Sequence, residues 1–523
     1  MTKKDQKTRR DFLKAGAAGL TSIVLFRNTR GEMTPFHDTD PYPELIEITI
    51  PELQSKMKSG QLTSRRLTEM YLERIKQVDT KTRSVIELNP DALTIADQLD
   101  KERKKGKIRS MLHGVPVLIK DNIDTADRML TTAGSLALVD APTPKHDAFV
   151  VQQLRKAGAV IIGKTNLSEW ANFRGARSIS GWSGRGLQTN NPYFLDQNPC
   201  GSSSGSGVSV SANLAAAAVG TETNGSIICP ANTNGVVGIK PTLGLISRTG
   251  IIPIAHTQDT AGPMARTVTD AAIMLTAMVG RDKQDPITTA AVKNAAKDYT
   301  KFLDPNGLKG ARLGLAMQYT TRPELKEYYQ PFIDALRDAG ATLVDVTFET
   351  DYTKIAPDRT NVLLYEFKTD LNKYLAARGS KYTTLAELIK FNDENKEKEL
   401  PLFGQELFLQ AQEKGDLTDK AYTDALSKIK QATRQDGIDA VIAKNKLDAI
   451  VSPTSGATWS IAAVAGYPYI TVPVGLRENT ATGMAFFGKA FSDSLLIKYA
   501  FAFEQKTKGR VTPKYLPTFP KKP

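Results

Sequence analysis

Cysteine and histidine are scarce in this sequence. Only two cysteines and four histidines occur among its 523 residues. Two cysteines cannot supply the several cross-links of a disulfide-built scaffold. The histidines, which are His37, His113, His146 and His256, form no recognisable Ser/His/Asp motif, and no cysteine–histidine cluster has the spacing of a metal site. We therefore expect a protein that holds neither a metal ion nor another cofactor.

Long hydrophobic runs are also missing. The run from Ala15 to Phe26 makes only ~18 Å of helix at ~1.5 Å per residue, which is too short to cross the ~30 Å core of a membrane. Hydrophobic residues make up 41% of the chain and charged residues 24%, an ordinary globular balance. Together these features exclude a disordered protein, a collagen and a multispan membrane protein.

The net charge of +13 is concentrated at the two ends of the chain. Residues 1–30 and residues 506–523 each carry +6, so the rest of the chain is nearly neutral. A nucleic-acid-binding protein would instead carry its basic residues over a folded surface. We therefore expect no nucleic-acid partner, and we interpret residues 506–523 as a basic C-terminal tail.

The first thirty residues have the features of an export signal. Residues 8–14 read T-R-R-D-F-L-K and precede the short apolar run. The pair Arg9 and Arg10 resembles the twin-arginine signal. We therefore predict that residues 1–30 direct the chain to the twin-arginine export machinery, that the protein is periplasmic or secreted, and that it has no stable membrane association once the signal is cleaved. An uncleaved anchor and a basic amphipathic helix are the alternatives.

Strand and helix patterns alternate along most of the chain. Val115–Lys120 is a compact apolar run, which is typical of a buried strand. Asp147–Lys156 is helical, stops at Gly158 and leads into a strand at Ala159–Ile162. This alternation predicts an α/β fold with a largely buried sheet. Residues 355–435 are instead charged and helical, and we interpret them as a helical insertion.

Strand signals resume after the insertion, at Asp448–Ser452 and Tyr469–Val474. We expect these strands to rejoin the same sheet, so that one domain covers residues 43–505. Near its beginning, residues 51–78 have helical patterns, and Thr63 or the serine after it is a suitable N-cap.

Three short motifs match catalytic patterns in their residue types, but their expected structural context does not fit those patterns. Residues 158–165 read G-A-V-I-I-G-K-T, but the residues between the two glycines form a strand, whereas a phosphate loop needs flexible residues there. Residues 201–205 read G-S-S-S-G around Ser203, yet no strand leads into them as a nucleophile elbow requires. The pair Ser427-x-x-Lys430 lies in a charged helical segment, which favours a solvated helix face.

The stretch 200–230 is unusually rich in small residues, which allow close approach of backbone groups. Gly205–Ala218 predicts a helix of ~21 Å, and Val219–Asn224 predicts a returning strand of ~20 Å. Because the two paths have nearly equal lengths, the turn that carries Ser226 can return beside the loop that carries Ser202.

Taken together, these motifs resemble the amidase signature family, over roughly residues 45–505. The motifs that carry the resemblance are K-D at 120–121, G-K-T-N-L-S-E-W at 163–170, G-T-E-T-N-G-S at 220–226, G-I-K-P-T at 238–242 and A-V-A-G-Y-P at 463–468. Three further segments most resemble the bacterial peptide-amidase subgroup: T-E-T-N-G-S-I-I-C-P at 221–230, S-R-T-G-I-I-P-I at 247–254 and Q-D-T-A-G-P-M at 258–264.

The resemblance implies a fold and a catalytic triad. The fold is the amidase-signature fold, a large mixed central β-sheet that helices cover on both faces, with a helical insertion. The triad is Ser–cis-Ser–Lys, with Ser226 as nucleophile, Ser202 as the bridging serine and Lys120 as base, and with a cis peptide bond between Gly201 and Ser202. Burial at the end of an apolar strand suits Lys120, because it lowers the pKa of a lysine from roughly 10.4 towards 7–8.

The resemblance also assigns an oxyanion hole to the backbone N–H groups of Thr223, Asn224, Gly225 and Ser226. Two positions depart from the common family pattern, since Asn224 replaces a glycine and Ile228 replaces an arginine. We expect Asn224 to narrow the turn or to add a side-chain contact. Neither change removes a member of the triad.

The implied function is that of a serine amidohydrolase. Such an enzyme hydrolyses linear carboxamides, in small molecules or peptides, to a carboxylate and ammonia through an acyl-enzyme. The subgroup indicates peptide C-terminal amides as substrates. A broad acyl or aryl amidase is one alternative, and a catalytically inactive amide- or peptide-binding protein on the same scaffold is another.

The two cysteines, Cys200 and Cys229, flank the two serine motifs. They can therefore be neighbours in space, and a disulfide between them is one possibility. We expect instead that both are small buried apolar side chains, which is how free cysteines usually behave in proteins.

Overall fold

Eleven strands form one mixed β-sheet in the computed structural model, which describes residues 41–318 and 323–518. In chain order the strands are β1 (Val85–Leu88), β2 (Pro116–Lys120), β3 (Val160–Thr165), β4 (Trp182–Ser183), β5 (Leu187–Gln188), β6 (Ala217–Glu222), β7 (Val237–Lys240), β8 (Thr260–Ala265), β9 (Arg312–Leu315), β10 (Thr342–Asp345), β11 (Ala449–Pro453), β12 (Tyr469–Arg477) and β13 (Thr480–Phe487). The order across the sheet is β1-β3-β2-β6-β8-β7-β12-β13-β11-β9-β10, while β4 and β5 pair separately. The predicted large mixed sheet is confirmed.

Helices connect these strands along the chain. Their bounds are α1 (Ile50–Lys58), α2 (Ser64–Thr82), α3 (Ala92–Lys104), α4 (Phe149–Ala157), α5 (Ser204–Ser211), α6 (Ile228–Thr233), α7 (Val268–Met278), α8 (Ile287–Ala291), α9 (Pro323–Asp338), α10 (Ala356–Arg378), α11 (Leu385–Glu394), α12 (Lys396–Glu399), α13 (Glu406–Gln412), α14 (Lys420–Thr433), α15 (Asp439–Asn445), α16 (Gly456–Ala465) and α17 (Asp493–Thr507).

Two groups of parallel strands lie on either side of an antiparallel centre. Strands β3, β2 and β6 are parallel neighbours, and so are β11, β9 and β10. The strands from β6 to β11 through the middle of the sheet pair antiparallel. Because β2 and β6 run in the same direction, residues at their carboxyl ends meet at one edge of the sheet.

The central strands are buried along their whole length. Every residue of β2, β3, β6, β7 and β8 is buried. A strand whose two faces are both apolar needs cover on both sides, and helices α2 and α5 both contact β2. This explains why the strand sequences are continuous apolar runs instead of alternating patterns.

Several helix ends in the structure lie where local sequence signals predicted them. The Thr63 side chain accepts a hydrogen bond from the backbone of Arg66, so Thr63 is the N-cap of α2. Helix α4 ends at Gly158, whose φ of +87° is the left-handed conformation that glycine adopts easily. The strand predicted directly after it is β3, so the phosphate-loop match at 158–165 falls on a buried strand, as expected.

The helix predicted at Gly205–Ala218 is shorter than expected. Helix α5 ends at Ser211, and β6 already begins at Ala217. The side chain of Arg74 binds the carbonyl oxygen of Asn213 at 3.0 Å, and Arg266 binds that of Ala215 at 2.8 Å. These distant arginines satisfy carbonyl groups that a longer helix would have paired internally, so tertiary contacts override the helical propensity of the alanines.

Helices α10 to α14 occupy the segment predicted as a helical insertion. Apolar side chains of α10, α11 and α13 form a second core with residues 133–141, 170–173 and 252–255, whereas α14 packs with α10 in a separate cluster. The ring of Phe367 packs 4.9 Å from that of Phe173, and the ring of Phe408 packs 5.7 Å from that of Trp170. The insertion is therefore anchored on the loop that leads away from the parallel strands.

The chain beyond α17 packs against the body. The Arg510 guanidinium binds Glu47 at 2.9 Å and the carbonyl oxygen of Ser211 at 2.8 Å. The predicted export signal, residues 1–30, and the last five residues of the predicted tail lie outside the described residues. Within the described residues, no helix is both long and apolar enough to cross a membrane.

Candidate active site

Lys120 is the last residue of β2, and its side chain is fully buried. Its Nζ donates hydrogen bonds to Oγ1 of Thr221, at 2.9 Å, and to Oγ of Ser202, at 2.8 Å. Thr221 lies near the end of β6, the parallel neighbour of β2, and Asn122 donates a further bond to the Thr221 hydroxyl at 3.0 Å. The sheet therefore fixes the lysine at the edge where the carboxyl ends of β2 and β6 meet.

Burial lowers the pKa of Lys120 to about 7, while the negative charges of Asp259 and Glu222 oppose this change. A lysine with this pKa is neutral in about half of the molecules at neutral pH. Its amine can then accept a proton, which an exposed lysine cannot do at that pH. The side chain thus combines the position and the basicity that a general base requires.

Ser202 lies on a backbone segment that neighbouring loops hold in place. The peptide bond between Gly201 and Ser202 is cis, as the resemblance implied. The Ser202 carbonyl accepts a hydrogen bond from the backbone of Ser168 at 3.1 Å. A Cβ atom at position 201 would lie 2.2 Å from Oγ of Ser168, so only glycine fits there.

Ser226 follows β6 on a turn that Glu222 organises. The Glu222 carboxylate accepts hydrogen bonds from the backbone of Ile227 at 2.8 Å and of Ile228 at 3.0 Å, which closes the turn. The backbone N–H of Ser203 donates to the Ser226 carbonyl at 3.0 Å, so the two serine-bearing loops touch. Among the described residues, the Ser226 hydroxyl has no hydrogen-bond partner, and it is not bonded to the Ser202 hydroxyl.

The backbone N–H groups of the turn are available to a ligand. In the part of the chain that the structure describes, none of the N–H groups from Thr223 to Ser226 is paired with an acceptor. Such groups next to a nucleophile can stabilise a negatively charged oxygen. The arrangement therefore brings a base, two hydroxyl groups and a set of free donors to one place.

Comparison with known proteins agrees with this geometry. The family model for Amidase matches residues 66–463, which is most of the chain. The chain belongs to the amidase signature family.

Relatives with similar sequences and structures are also amidases. A probable amidase of Arabidopsis thaliana is 44% identical over 480 residues, which cover 90% of this chain and 92% of the relative. The native peptide amidase from Stenotrophomonas maltophilia is 49% identical, with a TM-score of 0.86, and the match covers 90% of this chain and 99% of that one. An amidase family protein from Bacillus anthracis is 38% identical, with a TM-score of 0.85 and coverages of 90% and 93%. The protein is an amidase.

Asn224, one of the two departures from the family pattern, makes a side-chain contact in this amidase. Its Oδ1 accepts a hydrogen bond from the Ser460 hydroxyl, in α16, at 2.8 Å. The neighbouring residue of α16, Trp459, covers Gly225 so closely that a Cβ there would lie 2.5 Å from its Nε1. At the other departure, Ile228, the side chain is fully buried and apolar. Helix α16 therefore supports the turn from the side.

Sequence reasoning missed three residues that shape the amidase site. Thr221 holds the Lys120 ammonium group, Glu222 closes the turn, and Asp259 accepts a hydrogen bond from the Thr223 hydroxyl at 2.5 Å. Burial raises the pKa of Asp259 to about 6. Thr221 and Glu222 lie in the signature motif, where their nearness to Ser226 was a usable signal. Asp259 is 36 residues from its partner, and no local pattern announces that contact.

The expectation for the cysteines was wrong. Cys200 and Cys229 form a disulfide, and both are half-buried instead of buried apolar residues. The reason is that the loops bearing Ser202 and Ser226 meet, which brings the residues beside them together. In the chain-entropy model, closing a loop across this separation of 29 residues stabilises the folded state by about 3 to 4 kcal/mol.

The residues of the three motifs that match other catalytic patterns are part of the scaffold. Lys164, from the phosphate-loop match, is buried and donates hydrogen bonds to the Ile123 carbonyl and the Thr131 hydroxyl. The Ser203 hydroxyl binds the backbone of Thr221 at 3.0 and 3.1 Å. Ser427 lies within α14, as the charged helical pattern predicted.

A cavity of about 350 Å³ lies between α10 and the loops around β6. Thr221, Glu222 and Thr223 line one side of it, and Asp370 and Tyr374 of α10 line the other. Neither Ser202 nor Ser226 lines this space, so the cavity reaches the base of the turn and not the serine hydroxyl groups themselves. The insertion therefore forms one wall of a space that borders the predicted oxyanion hole.

Proposed function

We propose that this amidase is a serine amidohydrolase that acts through a Ser–cis-Ser–Lys triad. The observation that carries the proposal is the 2.8 Å hydrogen bond between the buried Lys120 amine and the Ser202 hydroxyl. A lysine with a pKa of about 7 is a competent base, and a hydroxyl between it and a second serine can pass a proton. The Ser226 hydroxyl has no hydrogen-bond partner among the described residues and lies on the turn with the free N–H groups, so we assign it as the nucleophile.

In this mechanism the Ser226 oxygen attacks the amide carbonyl carbon. Its proton passes to Ser202, whose own proton moves to the neutral Lys120 amine. The N–H groups of the turn from Thr223 to Ser226 stabilise the negative oxygen of the tetrahedral intermediate. The proton on Lys120 then returns through Ser202 to the leaving nitrogen, which departs as ammonia or an amine. A water molecule hydrolyses the resulting ester by the same proton path.

We further propose that the substrates are linear carboxamides of peptides, at their C-terminal end. The support is the 49% identity to a solved peptide amidase over 90% of this chain, together with the resemblance of the segments around Ser226 to the peptide-amidase subgroup. A broad acyl or aryl amidase has the same triad and differs only in what the cavities accept. An inactive binding protein would keep the scaffold without the chemistry.

The test compares hydrolysis of peptide amides, free peptides, and simple aryl and acyl amides by the wild type and its variants. Ser226→Ala and Lys120→Ala should lower kcat/KM on the best amide at least about 10³-fold, because nucleophile and base act as a unit. Ser202→Ala should also be severely impaired, since the proton path is broken. Wild-type activity in a folded Lys120→Ala protein would disprove the triad.

Matched controls come from the look-alike motif in α14. Ser427→Ala and Lys430→Ala remove the same types of group away from the site, so kcat/KM should stay within about twofold of the wild type. Labelling by a fluorophosphonate separates the enzyme from an inactive binder, because only an activated serine reacts. The label should appear on the wild type and be lost in Ser226→Ala.

We also propose that the chain is exported by the twin-arginine machinery and works in the periplasm or outside the cell. The support is the sequence T-R-R-D-F-L-K at 8–14, followed by a short apolar run. This route carries folded proteins, so the buried site around Lys120 would be assembled before export.

A further inference from the structure

A second cavity, of about 620 Å³, lies at the amino-terminal end of α16. Gly456, Ala457 and Ser460 form its wall on α16, and Phe348 and Tyr352 belong to the segment that faces them. The first turn of α10 contributes the remaining side. We call this space the α16 cavity; it shares no lining residue with the cavity beside Thr223.

The side chain of Ser460 lies between the α16 cavity and the turn that carries Ser226. Ser460 lines the cavity and also donates its hydroxyl hydrogen to Asn224, two residues before Ser226. Trp459, the preceding residue, lies against Gly225 of the same turn. The α16 cavity therefore lies beside the residues that support the turn.

Among the residues that the structure describes, one cation in the α16 cavity has no anionic partner. Arg359, in the first turn of α10, lines the cavity and is half-buried. Within the described ranges, its guanidinium group makes no hydrogen bond, ion pair or aromatic contact. Burial alone lowers its pKa, with no neighbouring charge acting in the other direction. A partly desolvated charge without a partner is costly, and this cost is recovered when an anion binds.

The acidic residues of the cavity do not supply that anion. The carboxylate of Glu349 is largely exposed and pairs with Lys444 at 3.1 Å. The carboxylate of Asp351 accepts a hydrogen bond from the Thr353 hydroxyl at 2.6 Å and lies 3.8 Å from the amine of Lys354. Both acids are therefore engaged near the rim, and Arg359 remains available to a ligand.

We propose that Arg359 binds a carboxylate of the substrate in the α16 cavity, so that the enzyme prefers amides with an acidic side chain near the scissile bond. The planar guanidinium group presents paired N–H donors that match the two oxygens of a carboxylate. This inference rests on the proposed peptide-amidase function and names the substrate class. Arg359 is a specificity residue in this role, because it contacts a part of the substrate that does not react.

The experiment uses matched peptide amides that differ only in charge. The pairs are N-acetyl-Leu-Glu amide with N-acetyl-Leu-Gln amide, and N-acetyl-Glu-Leu amide with N-acetyl-Gln-Leu amide. The ratio of kcat/KM for the Glu member to that for the Gln member is measured at constant salt. In at least one pair the wild type should favour the Glu member about tenfold or more, mainly through a lower KM.

Two variants of the arginine test whether it causes that preference. Arg359→Met removes the charge and keeps an extended apolar side chain, so the Glu/Gln ratio should fall to about one or below. Arg359→Lys keeps the charge without the paired donors, so it should retain only part of the preference. Melting curves and residual hydrolysis of the Gln amides show whether each variant is folded.

Lys354→Met is the matched control, because it removes one positive charge from the rim without changing a residue that lines the cavity. Its Glu/Gln ratio should equal that of the wild type, and an equal fall in both variants would show a general charge effect instead of direct binding. An unchanged ratio in folded Arg359→Met would overturn the inference while leaving the proposed function intact.

If the wild type hydrolyses none of the four peptide amides, the proposed function itself has failed. Calorimetric titration of Ser226→Ala with the Leu-Glu and Leu-Gln amides then still tests the arginine. Tighter binding of the Glu amide that disappears on adding Arg359→Met would support the carboxylate site, and equal binding of both amides would refute it.

Discussion

At the scale of single residues, the protonation state of Lys120 governs the proposed chemistry. The amine must be neutral to accept a proton, and burial lowers its pKa to about 7. We therefore expect kcat/KM to rise about tenfold per pH unit below pH 7 and to level off above it. Lys120→Arg should be inactive across that range, because a guanidinium group stays protonated. A pH–rate profile on a good amide substrate measures both effects.

The charge of Asp259 offers a control on the origin of that profile. Its carboxylate favours the protonated form of Lys120, so it holds the pKa of the lysine higher than burial alone would. Asp259→Asn removes this charge and keeps a side-chain oxygen for the Thr223 hydroxyl. The midpoint of the profile should move to lower pH, whereas a midpoint that stays fixed or rises would contradict the assignment of the titration to Lys120.

At the scale of elements, the turn between β6 and α6 depends on a glycine. Gly225 has a φ of +83°, and an added Cβ would lie 2.5 Å from Nε1 of Trp459. Gly225→Ala should therefore displace the turn from its position and reduce kcat about 10²- to 10³-fold, which is the range for loss of an oxyanion-hole donor. Steady-state kinetics measures this loss.

A second glycine separates backbone strain from displacement of the turn. Gly106 has a φ of +74°, but an added Cβ there meets nothing within 4 Å. Gly106→Ala thus carries a comparable conformational cost away from the site. It should lower the melting temperature slightly and leave kcat unchanged. A similar loss of kcat in both variants would argue against a local role for Gly225.

At the same scale, elements whose ends depend on local sequence were predictable, and those set by distant contacts were not. Thr63 at the start of α2 and Gly158 at the end of α4 act through their own backbone neighbours. The end of α5 depends instead on Arg74 and Arg266, which reach it from remote parts of the chain. A pattern within one segment carries no information about such partners.

The same distinction applies to the site. The small-residue stretch predicted that the loops bearing Ser202 and Ser226 meet, although α5 is shorter than expected, and only the family resemblance placed Lys120 beside them. The support of the turn was not predictable, because Ser460 lies 236 residues from Asn224 in the chain. The disulfide was named as a possibility from the positions of the two cysteines, but the sequence does not distinguish a bonded pair from two free buried thiols.

At the scale of the whole molecule, export is tested through the paired arginines. Replacing Arg9 and Arg10 by lysine keeps the charge of the signal but removes the pattern that the twin-arginine machinery reads. The double variant should accumulate in the cytoplasm of the native host, with amidase activity per folded molecule unchanged. Cell fractionation followed by an activity assay measures this. Normal export of the variant would disprove the signal assignment, and a single Lys3→Arg variant serves as the control.

The order of the strands has a consequence for how members of this family diversify. The segment from α10 to α15 leaves the sheet after β10 and returns at β11, and both strands flank β9. Because both strands run parallel to β9, the segment leaves at one edge of the sheet and returns at the other, and Lys120, Ser202 and Ser226 lie outside it in the chain. Recombination that exchanges this segment between relatives would change a wall of both cavities and leave the reacting groups in place. The substrate range of an enzyme with this fold can thus change through exchange of this one segment, while its catalytic residues stay the same.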